Sequence, residues 1–120
     1  MDNILVVDDA PQVIKIVNTI LKNEYKIIAA TNGKDALKIA SGAIKPDLII
    51  LDIMMPGMDG YEVIKKLKAH EDTKQIPVIF LSAKDDFDDK LDGYDLGASY
   101  YVTKPIDPVF LLETVKKVLG

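Results

Sequence analysis

The sequence predicts an α/β fold, a single doubly wound domain in which a five-stranded parallel sheet is flanked by five helices. Two rhythms alternate along the chain: short runs of branched apolar residues, and longer stretches with helical spacing. The apolar runs are continuous, as in Leu48-Ile49-Ile50-Leu51, which fits strands covered on both faces. With 120 residues the chain is too short for two independent cores, so 1–120 is read as one domain.

The elements follow in order. Ile4–Val7 reads as the first strand, and Pro11 opens a helix running to about Asn23, because a first-turn proline loses no helical hydrogen bond. Lys26–Ala29 is the second strand. Asn32-Gly33 precedes a second helix that ends near Ser41-Gly42. The third strand is Leu48–Leu51. Gly57 and Gly60 then bracket a loop before a third helix, in which Val63, Ile64 and Leu67 recur at helical spacing. Val78–Leu81 is the fourth strand, and Asp85 or Asp86 can cap an acidic fourth helix. Tyr100–Thr103 is the fifth strand, and Asp107-Pro108 starts a fifth helix with a cap and an N1 proline.

Composition narrows the function. Hydrophobic residues make up 48% and charged residues 28%, the balance of a globular protein, and the net charge is -4. All 15 basic residues are lysines, which disfavours direct nucleic-acid binding, since base readout leans on arginine. The absence of cysteine excludes thiol nucleophiles and sulfur-ligated zinc. The start Met1-Asp2-Asn3 is acidic where a signal peptide is basic, and no apolar run approaches the length of a membrane span. The expected location is the cytoplasm, with no membrane partner.

In such sheets ligands sit beyond the carboxyl ends of the strands. Those ends carry Asp8-Asp9, Asp52, Ser82 and Lys104-Pro105. With the usual strand order 2-1-3-4-5, strands one and three are neighbours, so Asp8, Asp9 and Asp52 converge. Three close carboxylates resist ionising together unless a cation binds, and an all-oxygen ligand set suits a hard ion such as Mg2+. A carboxylate can also act as a nucleophile toward phosphorus, a step that needs mainly positioning and charge neutralisation. Asp52 is the best candidate, with Asp8 and Asp9 free for the metal, Ser82 as a hydroxyl donor and Lys104 as a fixed positive charge.

Taken together, Ile4–Asp9, Asp52–Gly60, Ser82-Ala83, and Gly97-Ala98 followed by Lys104-Pro105 resemble the receiver domain of two-component response regulators. The resemblance covers essentially the whole chain and implies the flavodoxin-like fold of chemotaxis regulators. It implies Asp52 as phosphoacceptor, Asp9 as direct Mg2+ ligand, Asp8 as its water-mediated companion, and the backbone carbonyl of Met54 as a further ligand. Ser82 matches the switch hydroxyl, Lys104 the phosphate-pairing lysine, and Pro105 a proline usually preceded by a cis bond. Tyr101 matches the aromatic whose rotamer follows phosphorylation; Tyr100 beside it competes for that slot, since strand side chains alternate faces.

The implied partners are a histidine kinase or histidine phosphotransfer protein and a downstream output domain or protein, with the chain a monomer or a phosphorylation-dependent dimer. The face built from the fourth helix, fifth strand and fifth helix would carry the output, and the domain would be a signalling switch rather than an enzyme. On the first helix Val13, Ile16, Val17 and Ile20 read as the buried stripe, leaving Ile14 exposed for kinase docking beside Pro105 and Ile106. Ile106 stands where an aromatic is common in the family. Met54 and Lys84, each two residues past a site residue, occupy positions that tune phosphate loss; a methionine holds an attacking water poorly, so a long-lived phosphate is expected. His70 lies in a polar stretch and reads as a surface residue.

Rival readings lack their residues. A flavin carrier needs a neutral, glycine-rich loop where Asp8-Asp9-Ala10-Pro11 stands. An aspartate-nucleophile phosphatase wants an acid at Met54, and a nucleotide hydrolase needs a glycine-rich loop ending in lysine. A degenerate receiver acting only as a binding module would not need all five polar positions.

Overall fold

The computed structural model describes residues 1–83 and 96–120. Five parallel strands form one sheet in the order β2-β1-β3-β4-β5, with β1 Asn3–Val7, β2 Lys26–Ala30, β3 Leu48–Asp52, β4 Val78–Ala83 and β5 Tyr100–Lys104. Each strand is one or two residues longer than the apolar run that announces it. Half of the extra residues, Asp52, Ser82 and Lys104, are polar ones at the carboxyl ends, where strand pairing continues past the apolar run.

Four helices are present among the described residues: α1 Pro11–Leu21, α2 Gly33–Ala40, α3 Gly60–Ala69 and α4 Pro108–Leu119. The helix at Pro108 is the fifth of the expected five. The expected acidic helix after Asp85 lies outside the described residues, as does Lys84, so the count here is four rather than five.

Strand alternation sorts the core into two layers. Leu5, Val7, Ile49, Leu51 and Phe80 face α2 and α3, meeting Ala36, Ala40, Val63, Ile64 and Leu67. Ile4, Val6, Leu48, Ile50, Ile79, Leu81 and Val102 face the other way, toward Val17 and Leu21 of α1 and Leu111 and Val115 of α4. Both faces are therefore covered, which is why the strands read as unbroken apolar runs.

The helices start where their caps permit. Asn32 Oδ1 accepts the Asp35 N–H at 2.8 Å, and Asp59 accepts the Glu62 N–H at 2.9 Å. Asp107 accepts the N–H groups of Val109 and Phe110, with Pro108 in the first turn, as its sequence predicts. Among the described residues no side chain caps α1; Pro11 marks its start, and the helix ends at Leu21, two residues before the expected limit.

Helix α1 corrects one expectation. Val17 and Leu21 are its fully buried residues, with Val13, Ile14 and Ile20 half-buried at the flanks, while Ile16 is 48% exposed. At 100° per residue Val17 and Leu21 define the centre of the buried face, Ile14 lies beside Leu21, and Ile16 falls well outside. The exposed isoleucine of this helix is Ile16, not Ile14.

Candidate functional site

The site forms where β1, β3, β4 and β5 end together. Val7 is in register with Leu51, so Asp8 and Asp52, one step further along, emerge side by side. Asp8 is held by its neighbours: its N–H donates to Ala30 O at 3.2 Å, and its Oδ1 accepts the Ala10 N–H at 2.9 Å. Ligand oxygens of Asp8, Asp9 and Asp52 all lie within 4.8 Å of one another. Asp8 and Asp52 are buried and Asp9 is exposed, so the cluster has a closed floor and one arm open to solvent.

Lys104, the last residue of β5, reaches across to both buried acids. Its Nζ lies 3.0 Å from Asp8 Oδ2 and 3.2 Å from Asp52 Oδ1. The contact to Asp52 is a hydrogen bond, whereas the approach to Asp8 Oδ2 is an ion pair off the line of one. One lysine cannot neutralise two buried carboxylates. Burial, and then the charge of Asp8, push Asp52 up to about 6 despite Lys104 and the Met54 backbone N–H, both of which favour its ionised form. Burial pulls the Lys104 ammonium down, but its contacts with Asp8 and Asp52 outweigh that and hold it above the ordinary lysine value.

Ser82 sits near the end of β4, buried, with no hydrogen-bond partner for its hydroxyl among the described residues. An orphaned buried hydroxyl is costly, and such groups persist where a further partner is to be met. The Lys104-Pro105 bond is cis. Pro105 is exposed and Ile106 is half-buried against the α1–α4 layer.

Alternation separates the two tyrosines. Tyr101 is buried and faces the α2–α3 layer, its ring centroid 5.4 Å from that of Phe80, while Tyr100 points outward. Ser82 follows Phe80 by two residues and therefore shares its face, so Ser82 and Tyr101 lie on one side of the sheet. His70 is an exposed residue at the end of α3, away from the acids.

A glycine that reads in the sequence only as a loop boundary supports the site. A Cβ on Gly60 would stand 2.5 Å from the Asp52 carbonyl oxygen, and the Gly60 N–H donates to Ile53 O at 2.8 Å. The first turn of α3 thus rests directly on the backbone that carries Asp52. The signal was present in the Asp59-Gly60 pair, a cap followed by a residue without a side chain. Gly57, at φ +75°, makes the turn that precedes it.

Comparison with known proteins agrees with this geometry. Residues 4–116 match the family described as the response regulator receiver domain. The chain is 38% identical over 121 residues to Protein PilH of Pseudomonas aeruginosa, covering all of this chain and 99% of that one. It is 43% identical over 114 residues to the response regulator PleD of Caulobacter vibrioides, which covers 94% of this chain but only 25% of PleD. Among solved structures, a response regulator from Chloroflexus aurantiacus superposes with a TM-score of 0.93 at 34% identity, covering 98% and 97% of the two chains. The receiver domain of the sensor histidine kinase PA1611 from Pseudomonas aeruginosa, described with a magnesium ion coordinated in its active site cleft, superposes at 0.89 with 25% identity and coverage of 99% and 98%. On sequence, fold and the acidic cluster at the strand ends alike, the chain belongs to the response regulator receiver domain family.

Proposed function

We propose that this chain is a phosphoacceptor switch in the cytoplasm. Asp52 takes a phosphoryl group from a phosphohistidine donor, either a histidine kinase or a phosphotransfer protein, with Mg2+ as cofactor. The observation that carries this reading is the juxtaposition of three carboxylates within 4.8 Å with Lys104 bridging the two buried ones. Among the described residues that arrangement is under-neutralised, and it is suited to a hard cation and an anionic group.

The donor set fits magnesium. It is all oxygen, it gathers at one point, and Asp8 Oδ2 is buried without an aligned hydrogen bond among the described residues. Asp8, Asp9, Asp52 and the backbone carbonyl of Met54 would hold the ion. When bound, Mg2+ supplies charge neutralisation for phosphoryl oxygens.

The remaining work falls to the chain's own groups. A carboxylate oxygen of Asp52 forms a bond to phosphorus as the bond between phosphorus and the donor's imidazole nitrogen breaks, and the electron pair stays on the ring nitrogen. Lys104, already beside Asp52, pairs with a phosphoryl oxygen. Ser82 offers its hydroxyl, which has no partner among the described residues, to another. Drawing Ser82 toward the phosphoryl group changes the packing on the face it shares with Tyr101, and β5 and α4 pass the change to an output domain or partner protein. The domain acts as a switch, promoting only its own phosphorylation and slow dephosphorylation.

Incubation with acetyl phosphate and Mg2+, followed by intact-mass measurement, tests this reading. The expected result is one phosphoryl adduct on the wild type, none on Asp52→Ala, and none in the absence of magnesium or on Asp9→Ala. An unmodified wild type, or an adduct that persists on Asp52→Ala, overturns it.

A further inference from the structure

Of the four methionines in the chain, Met54 stands apart. It is 67% exposed, whereas its neighbour Met55 is 7% exposed in the α2–α3 layer and Met58 is half-buried against that layer. Met54 follows Asp52 by two residues on the loop leaving β3, and its backbone N–H favours the ionised form of the Asp52 carboxyl. A soft, accessible sulfur is therefore tied through a short stretch of backbone to the group proposed to carry phosphate. Met1 is also exposed, but it precedes β1 at the opposite edge of the sheet from the strand ends.

A thioether is a weak hydrogen-bond acceptor, while a sulfoxide is polar and accepts strongly. A hydroperoxide converts one to the other: the peroxide O–O bond breaks, an S–O bond forms, the sulfur is oxidised, and the peroxide is reduced to water or an alcohol. Cells reverse the change enzymatically. We propose that Met54 is a redox-sensitive modification site whose oxidation to the sulfoxide shortens the life of the phosphoryl group on Asp52. The inference rests on Asp52 being the phosphoacceptor. The sulfoxide oxygen accepts a hydrogen bond from a water at the mouth of the site and holds it for attack on phosphorus, which the native side chain does poorly.

The test treats the protein with hydrogen peroxide, removes the oxidant, and maps the added oxygen by peptide mass. The protein is then phosphorylated with acetyl phosphate in magnesium buffer, and decay of the phosphorylated mass is followed. Oxygen is expected on Met54 before Met55, and phosphate loss from the oxidised wild type is expected to be roughly three- to tenfold faster, a small part of what positioned acid–base groups supply. Met54→Leu, which keeps the other three methionines, should show the same decay before and after peroxide whatever its own lifetime. Met54→Gln, which carries an acceptor oxygen without oxidation, should decay faster than Met54→Leu. Oxidation of Met55 ahead of Met54, an unchanged lifetime in oxidised wild type, or a peroxide effect retained in Met54→Leu overturns the inference and leaves the phosphoacceptor reading standing. A wild type that takes up no phosphate before oxidation brings down both.

Discussion

Lys104 Nζ lies 3.2 Å from Asp52 Oδ1, and the same ammonium lies 3.0 Å from Asp8 Oδ2. The last residue of β5 thus joins the ends of β1 and β3 across β4, and charge, rather than packing, ties this edge of the sheet together. Breaking a buried pair by removing one partner costs more than the pair is worth, because a charge is left uncompensated. Lys104→Ala should therefore lower stability in metal-free buffer at pH 7 by about 2 kcal/mol. Added Mg2+ should recover part of the loss, since it replaces the missing positive charge. Thermal melts with and without magnesium measure both effects, and an unchanged midpoint in metal-free buffer would count against the lysine's role.

The same imbalance predicts that Asp52→Asn stabilises the metal-free protein. The Asp52 carboxyl is pushed up from 3.8 to about 6 by burial and by Asp8, so the fold prefers it protonated. Its contribution is fully present below the unfolded value and is lost as pH rises through about 6, because the folded state binds more protons than the unfolded one in that window. The two proteins should match near pH 3.5 and diverge up to about pH 6.5, the variant then being more stable by roughly 2 kcal/mol. Urea titrations across that range, in chelator, measure the gap. A gap that is constant with pH would show that the substitution acts by some other means.

How far the sequence reaches is clear from particular residues. The sheet and its polar edge are legible because they depend on strand alternation and on residues adjacent in the chain: Asp8 follows Val7, and Val7 pairs with Leu51. The face of β5 that is buried is not legible in Tyr100-Tyr101, where both residues favour strands equally; the register with Phe80 decides it. Helix α1 misleads for a similar reason. Six apolar residues crowd eleven positions, so several stripes are possible, and only the angle at which the helix meets Ile4, Val6 and Val102 selects Val17 and Leu21. Gly60 shows a third limit, since a close approach between backbones leaves no periodic signature.

Two isoleucines on α1 separate docking from folding. Ile16 is 48% exposed and borders a groove with Lys15, Thr19, Ile20 and Pro108, whereas Ile14 is half-buried against the core. Ile16→Lys should change stability by less than about 0.5 kcal/mol, as surface substitutions generally do. Ile14→Ala should cost about 1–2 kcal/mol, less than a fully buried isoleucine. If the donor kinase docks on α1, Ile16→Lys should slow transfer from the kinase while leaving labelling by acetyl phosphate intact. Chemical denaturation and the two labelling reactions read these out separately, and equal stability losses in both variants would contradict the burial assigned here.

Gly60 and Gly33 make the sharpest test of the backbone around the site. Both begin helices, and a Cβ at either meets an atom closer than real contacts allow. At Gly33 the nearest atom is Val63 Cγ2 at 2.7 Å, the end of a side chain that can turn aside. At Gly60 it is the Asp52 carbonyl oxygen at 2.5 Å, followed by Ile53 Cα at 2.8 Å, and neither can move without shifting the end of β3. Overpacking costs typically 1–3 kcal/mol, and rigid neighbours place a site at the upper end. Gly60→Ala should therefore lose about 3 kcal/mol and Gly33→Ala about 1 kcal/mol. Because the strain at Gly60 falls on the backbone that aims Asp52, its alanine variant should also lose phosphorylation by acetyl phosphate at temperatures where it remains folded, while Gly33→Ala should label at close to the wild-type rate. Urea denaturation with parallel mass measurements decides it: equal stability losses at the two glycines, or normal labelling of folded Gly60→Ala, would show that the contact between α3 and Asp52 does not set the position of the carboxylate.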